Sequence, residues 1–89
     1  MRLVVKSNGI VEEFEIDKLK RSLELSFNIA NSPDGQKKIY IDRILKSFMK
    51  WIKDKQEITS ADIKRIIIIY MEEIYPDVAY IYKNFKKIG

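Results

Sequence analysis

The 89-residue sequence contains neither cysteine nor histidine. Without cysteine, disulfides, thiolate metal sites and cysteine nucleophiles are all excluded. Without histidine, the chain also lacks a common zinc ligand and the usual general base at neutral pH. Carboxylate or lysine chemistry remains formally open, but we expect a protein that is not an enzyme and has no catalytic residues and no metal ligands of its own.

Long apolar runs are missing as well. The longest run, residues 66–71, is far too short to span a bilayer, and the N-terminus has no apolar segment of signal-peptide length. We therefore expect a cytoplasmic protein that does not contact the membrane. With 46% hydrophobic residues and no linker or repeat, residues 1–89 are expected to form a single domain.

The charge balance is basic. Seventeen lysines and arginines face 13 acidic residues, which gives a net charge of +4. Such a balance favours anionic partners, and these include phosphorylated small molecules as well as nucleic acids.

The N-terminal segment, residues 2–14, is predicted to be a β-hairpin. Its strand-forming residues flank Asn8-Gly9, the pair typical of a two-residue type I′ turn. A two-residue loop places Val5 opposite Glu12. In that register, residues 4 and 6 face away from residues 12 and 14, because successive side chains of a strand alternate between its two faces.

Four helices are predicted after the hairpin. The first runs from Ile16 to about Ala30 and ends at a breaker cluster, residues 31–35; the second spans roughly residues 37–53. The third begins at Thr59 or Ser60, either of which can cap it, and the fourth begins at Pro76. The apolar stripe of the last helix includes Val78, Ile81, Tyr82 and Phe85, with Lys83, Lys86 and Lys87 around it. The expected fold is α+β, with an N-terminal hairpin packed on a bundle of about four helices.

The third predicted helix is apolar nearly all round. Ile68 and Ile69 widen its stripe beyond what one side of a small bundle covers. Such a helix is either central in the bundle or covered by a second protomer. We expect a homo-oligomer formed through Ile66, Ile68, Ile69 and their neighbours.

Three short motifs occur in order along nearly the whole chain. The first is V-V-K-S-N-G at residues 4–9, followed by Phe14 and by K-L at residues 18–19. The second is I-T-S-A-D-I at residues 58–63, and the third is Pro76 followed by A-Y at residues 79–80. In this combination the sequence resembles the ATP-cone family, found at the N-termini of ribonucleotide reductases and in the zinc-ribbon repressor of their genes.

The resemblance implies an adenine nucleotide, ATP or dATP with Mg²⁺, held as a ligand and not as a substrate between the hairpin and the helices. It implies that the base pocket is lined by Val4, Phe14, Leu19 and Ile63, and that Glu12 reaches the base or the ribose. The residues facing the phosphates would be Lys6, Lys18, Ser60 and Lys64. Free N–H groups at the start of the third helix would favour an anion there.

The implied function is an allosteric nucleotide-binding module that controls the assembly or activity of a partner, either a ribonucleotide reductase or a transcription-related protein. The sequence carries neither a reductase catalytic domain nor a cysteine zinc ribbon, so we interpret it as a free-standing cone or a regulatory domain of a larger chain. It departs from the family at Ser7, where an arginine is usual.

A second hypothesis is a small basic nucleic-acid-binding protein that keeps the cone fold and has lost nucleotide binding. Ser7 and the net charge favour it. The chain has no helix-turn-helix spacing and no RNA-binding aromatic motif, so nucleic acid is the less favoured partner.

Overall fold

The computed structural model describes residues 2–84. Three short strands and four helices follow one another as β1 (Leu3–Val5), β2 (Val11–Glu13), α1 (Ile16–Ile29), α2 (Asp34–Ile52), β3 (Glu57–Thr59), α3 (Ser60–Ile74) and α4 (Pro76–Asn84). The predicted α+β class is confirmed, with the hairpin followed by four helices. Phe85, Lys86 and Lys87, which were assigned to the last helix, lie outside the described residues.

A third strand corrects the prediction that the sheet is only a hairpin. β3 pairs in parallel with β1, so the sheet order is β2-β1-β3 and β1 is central. Ile58, the middle residue of β3, lies beside Val4 and is 3% exposed. A three-residue strand shows only one buried position, which is too little for a period-two pattern to stand out from the helix start that follows it.

The hairpin register also differs from the predicted one. Val4 is opposite Glu12, and Val5 is opposite Val11. The amide of Gly9 donates to the carbonyl of Lys6 (2.9 Å), and only the glycine of the Asn8-Gly9 pair has a positive φ, +85°. The loop therefore has three residues and ends in a left-handed glycine, whereas a type I′ turn needs positive φ at both central positions. One residue more in the loop shifts every cross-strand partner by one.

The core lies between the sheet and the helices and is almost entirely apolar. Its largest fully buried side chains include Phe27, Phe48, Ile67 and Met71. The ring of Phe14 packs against that of Phe48, with 5.8 Å between centroids, and this contact fixes the end of the hairpin on α2.

The break between α1 and α2 is shorter than the breaker cluster suggested. Asn31 adopts the left-handed conformation with φ 55°, and the amide of Ser32 donates back to the carbonyl of Phe27 (3.0 Å), as in a Schellman C-cap. α2 then begins at Asp34, three residues before the predicted Lys37. Pro33 has a φ of −59°, and its carbonyl accepts from the Lys37 amide, so the cluster starts a helix as well as ending one.

Thr59 caps α3 through a reciprocal capping box. Its hydroxyl accepts from the amide of Asp62 (3.0 Å), and the Asp62 carboxylate accepts from the amide of Thr59 (3.4 Å). The guanidinium of Arg65 also donates to that carboxylate (3.1 Å). The hydrogen bonds from Arg65 and then Thr59 lower the pKa of Asp62 below 3.8. Ser60, the alternative cap, is instead the first residue of the helix.

The expected protomer contact through α3 is corrected at one of its named residues. Ile66 is only 9% exposed and belongs to the core of this chain, so it is not available to a second copy. Ile68 packs against the same core, and Ile69 is 44% exposed. α3 contacts α2, α4 and β3, so its wide apolar surface is covered largely within the protomer. None of the helices in residues 2–84 combines the length and apolar character needed to cross a membrane.

We predict that Thr59→Ala lowers the free energy of unfolding by about 1 kcal/mol, since removing a Thr N-cap typically costs about that much. For a domain of this size, that loss lowers Tm by roughly 4–8 °C in a thermal melt followed by circular dichroism. Thr59→Ser, which keeps the hydroxyl, should melt close to the wild type. An alanine variant with unchanged Tm would show that the cap does not stabilise the fold.

Candidate functional site

A solvent-open cleft of about 210 Å³ lies between the sheet, α1, α4 and the start of α3. All nine residues predicted to hold a nucleotide line it: Val4, Lys6, Glu12, Phe14, Lys18, Leu19, Ser60, Ile63 and Lys64. These residues come from the hairpin and from two helices, α1 and α3. Their shared cleft is a property of the fold, because no segment of the sequence brings them together.

The observed hairpin register brings the strand residues onto one face. Because Val4 is directly opposite Glu12, their side chains leave the same face of the sheet. Lys6 and Phe14 share that face by the two-residue period of a strand. The expectation that residues 4 and 6 face away from residues 12 and 14 is therefore wrong, since it followed from a two-residue loop.

The parallel pairing of β1 with β3 brings the hairpin to the start of α3. Val5 lies beside Thr59, and because the two strands are parallel, both finish at the same end of the sheet. Lys6 and Ser60, the next residues, both line the cleft. Lys64 follows one helical turn after Ser60 and lines it too. The N-terminal end of α3 thus contributes a hydroxyl, an ammonium and the positive end of a helix dipole.

Glu12 forms ion pairs with two of the predicted phosphate ligands. Its carboxylate lies 3.3 Å from the Lys6 ammonium and 3.9 Å from that of Lys18, which also pairs with Glu15 at 3.2 Å. The Lys6 and Lys18 side chains are 45% and 60% exposed. Pairs this exposed contribute little to stability, so the lysines can exchange the carboxylate for another anion at small cost.

Two residues at the cleft were missed by the sequence analysis. Ser22 and Tyr82 line it from α1 and α4, and Tyr82 is only 2% exposed. Burial raises the pKa of Tyr82 above its ordinary value, and the hydroxyl of Ser22 donates to the carbonyl of Leu19 (2.7 Å). In the sequence, Tyr82 fits the apolar stripe of the last helix and is predicted to pack in the core. A buried tyrosine nevertheless needs a partner for its hydroxyl, and that requirement was the available signal.

The remaining lining is acidic. Glu13 and Glu15 complete the rim of the cleft near Glu12. Among residues 2–84, no three acidic side chains are grouped so that they could hold a metal ion.

The comparison with protein families agrees with this geometry. The model of the ATP cone domain matches residues 2–88. The chain belongs to the ATP-cone family. ATP-cone domains are regulatory modules that bind nucleotides, and the cleft gathers all the residues that resemblance to this family selected. A search of curated proteins gave no significant match.

Tyr82 should ionise above pH 10.0. Because the folded pKa is raised, the unfolded state loses this proton first, and the free energy of unfolding should fall as the pH rises above 10.0. We expect Tyr82→Phe to lose less stability over that range in denaturant titrations. Tyr80→Phe, on the same helix and 69% exposed at its tyrosine, is the matched control and should behave like the wild type. A phenolate difference spectrum, wild type minus Tyr82→Phe, with a midpoint at or below 10.0 would contradict the assignment.

Proposed function

We propose that this ATP-cone domain binds ATP or dATP in the cleft and thereby controls the assembly or activity of a partner. The observation that carries the proposal is the convergence of apolar side chains, lysines and a helix N-terminus on one cleft. This combination suits a ligand with an apolar ring at one end and several negative charges at the other.

The size of the cleft supports a placement in which only part of the nucleotide lies inside it. At about 210 Å³ it is smaller than the roughly 300–1,000 Å³ of most ligand pockets. Base and ribose would occupy it, between Phe14, Leu19 and Ile63. The phosphates would extend over the rim, where they would contact the exposed ammonium groups of Lys6 and Lys18.

Glu12 has a specific place in this proposal. In the ligand-free chain its carboxylate balances the charges of Lys6 and Lys18. Phosphate oxygens would replace it at the two ammonium groups, and Glu12 would turn toward the base or the ribose, as the family resemblance implies. Mg²⁺ would enter with the triphosphate, because it is usually held by phosphates, water and one or two carboxylates.

Regulation requires the nucleotide to bind two states of the protein with different affinities. A bound nucleotide would bridge the hairpin and α3, because Lys6 and Glu12 lie on the hairpin while Ser60 and Lys64 lie on α3. A triphosphate that joins these elements would alter the surface they present. The partner would be a ribonucleotide reductase, a transcription-related protein or a second copy of this chain.

The proposal predicts that ATP or dATP with Mg²⁺ binds more tightly than GTP in a calorimetric titration. A flat titration at millimolar ATP would contradict it. Nucleic acid is then the ligand to test, since the domain would be a basic cone that has lost its nucleotide.

Lys6→Ala should weaken triphosphate binding by roughly 1.5–3 kcal/mol, the usual contribution of a hydrogen bond to a charged group. The free energy of unfolding should change by no more than about 0.5 kcal/mol, because the lysine is a surface residue. Lys46→Ala, at an exposed lysine of α2 that does not line the cleft, is the control. Equal affinities of the two variants would place the phosphates elsewhere.

Ser7→Arg should strengthen triphosphate binding, because it restores the arginine usual in the family beside Lys6, with a bidentate donor for phosphate. The measurement is again calorimetric, and AMP serves as the control ligand because it lacks the outer phosphates. If Ser7→Arg leaves ATP affinity unchanged while Lys6→Ala lowers it, Lys6 binds the phosphates at the hairpin without help from position 7.

A further inference from the structure

The net charge of the chain is concentrated on one helix. Residues 34–53, which are α2 and its C-cap residue, carry six lysines and arginines and two aspartates. The rest of the chain carries 11 basic and 11 acidic residues, so the whole net charge of +4 belongs to this segment. Positive charge concentrated in this way produces a local potential that attracts anions.

Four of these cations form a basic row on the outer face of α2. The members of the basic row are Arg43, Lys46, Lys50 and Lys53. All four are exposed, and spacings of three and four residues place them on one side of the helix, opposite buried residues such as Ile44 and Phe48. The last of them, at the C-cap, still has helical dihedral angles. The basic row therefore extends about 15 Å along the helix axis.

The basic row has no acidic partner within residues 2–84. The ion pairs in this part of the chain involve Lys6, Lys18, Lys37 and Arg65, and none involves a member of the row. Like charges three and four residues apart repel each other and slightly destabilise a helix. Because no ion pair inside the chain offsets that repulsion, the arrangement favours an anionic partner outside it.

The chemistry of the basic row suits a phosphate backbone better than a protein, a membrane or a single strand. Protein interfaces are depleted in lysine and centre on apolar and aromatic side chains, whereas the row has three lysines and one exposed apolar neighbour, Ile39. A helix that lies on a membrane inserts its apolar face, and that of α2 is buried in the core. Single strands stack on aromatic side chains, and the row contains none.

We propose that the basic row of α2 binds the phosphate backbone of double-stranded DNA, without reading its base sequence. DNA carries one negative charge per about 1.7 Å of its axis, so a row of this length faces several phosphates. Lysine contacts phosphate as a point charge, and such contacts position a protein without specifying bases. RNA duplexes are recognised largely through 2′-hydroxyls, whereas the row consists only of charged donors, which suit phosphates. None of its members lines the nucleotide cleft, so the two sites are separate.

The test is the affinity for a fluorescent DNA duplex of about 20 base pairs, measured by anisotropy over a range of salt concentrations. Four phosphate contacts predict that log K falls with log salt with a slope of about −3 to −4. Lys46→Gln/Lys50→Gln removes two contacts. Its slope should be shallower by about 2, and its affinity at about 0.1 M salt should be roughly 10- to 60-fold lower.

Lys20→Gln/Lys83→Gln is the matched control, because it removes the same charge at exposed lysines of α1 and α4 that lie outside both the basic row and the cleft. It should keep the wild-type slope. Equal losses in the two double variants would show that only net charge matters and would overturn the basic row as a binding surface. So would a wild type that binds no DNA at about 0.1 M salt and about 100 µM protein, the weak end of non-specific binding.

Thermal melts and ATP titrations separate this inference from folding and from the proposed function. The Tm of Lys46→Gln/Lys50→Gln should not fall, since repulsion within the basic row is relieved. Its ATP affinity should equal that of the wild type, and Lys46→Ala is a control for ATP binding for the same reason. A wild type that binds DNA but no ATP would contradict the proposed function and support the basic row. Tighter binding to an RNA duplex or to phosphatidylserine vesicles through the same lysines would overturn DNA as the partner.

Discussion

The cleft depends on the parallel pairing of β1 with β3, which places Val5 beside Thr59. Both strands are only three residues long, yet this contact brings the end of the first hairpin strand to the start of α3. Ile58 and Val4, paired side by side, are both buried and hold the two segments together through the core. If this pairing were lost, Lys6 and the N-terminal end of α3 would no longer line the same cleft.

The hairpin loop sets which side chains meet at that space. A three-residue loop that ends in a left-handed glycine gives the register in which Val4, Lys6, Glu12 and Phe14 share one face. Phe14 then serves two purposes, because it lines the cleft and packs on Phe48 of α2. The hairpin is thus both a wall of the site and part of the core, so its position and the shape of the site are set together.

Charge in the cleft is balanced within the chain itself. Glu12 pairs with Lys6 and Lys18, while Lys64 and the N-terminal end of α3 add positive potential nearby. Because the two paired lysines are about half exposed, these ion pairs are weak, and a multivalent anion competes with them readily. The part of the cleft beside α1 and α4 differs in character, since Tyr82 is buried there and the hydroxyl of the half-buried Ser22 donates to the carbonyl of Leu19. The cleft therefore has exposed charges at its rim and a buried side chain at α4.

The sequence by itself determined the hairpin, the four helices and, through family resemblance, nine of the residues that line the cleft. Periodic apolar stripes and the Asn8-Gly9 signal are local, and local patterns are readable in a single chain. Tertiary structure decided the third strand, the hairpin register and the burial of Ile66, because each depends on contacts between distant segments. It also decided that Ser22 and Tyr82 both line the cleft. Tyr82 fits an apolar helix stripe equally well as a core residue, and only the packing of α1 against α4 places it at the cleft together with Ser22.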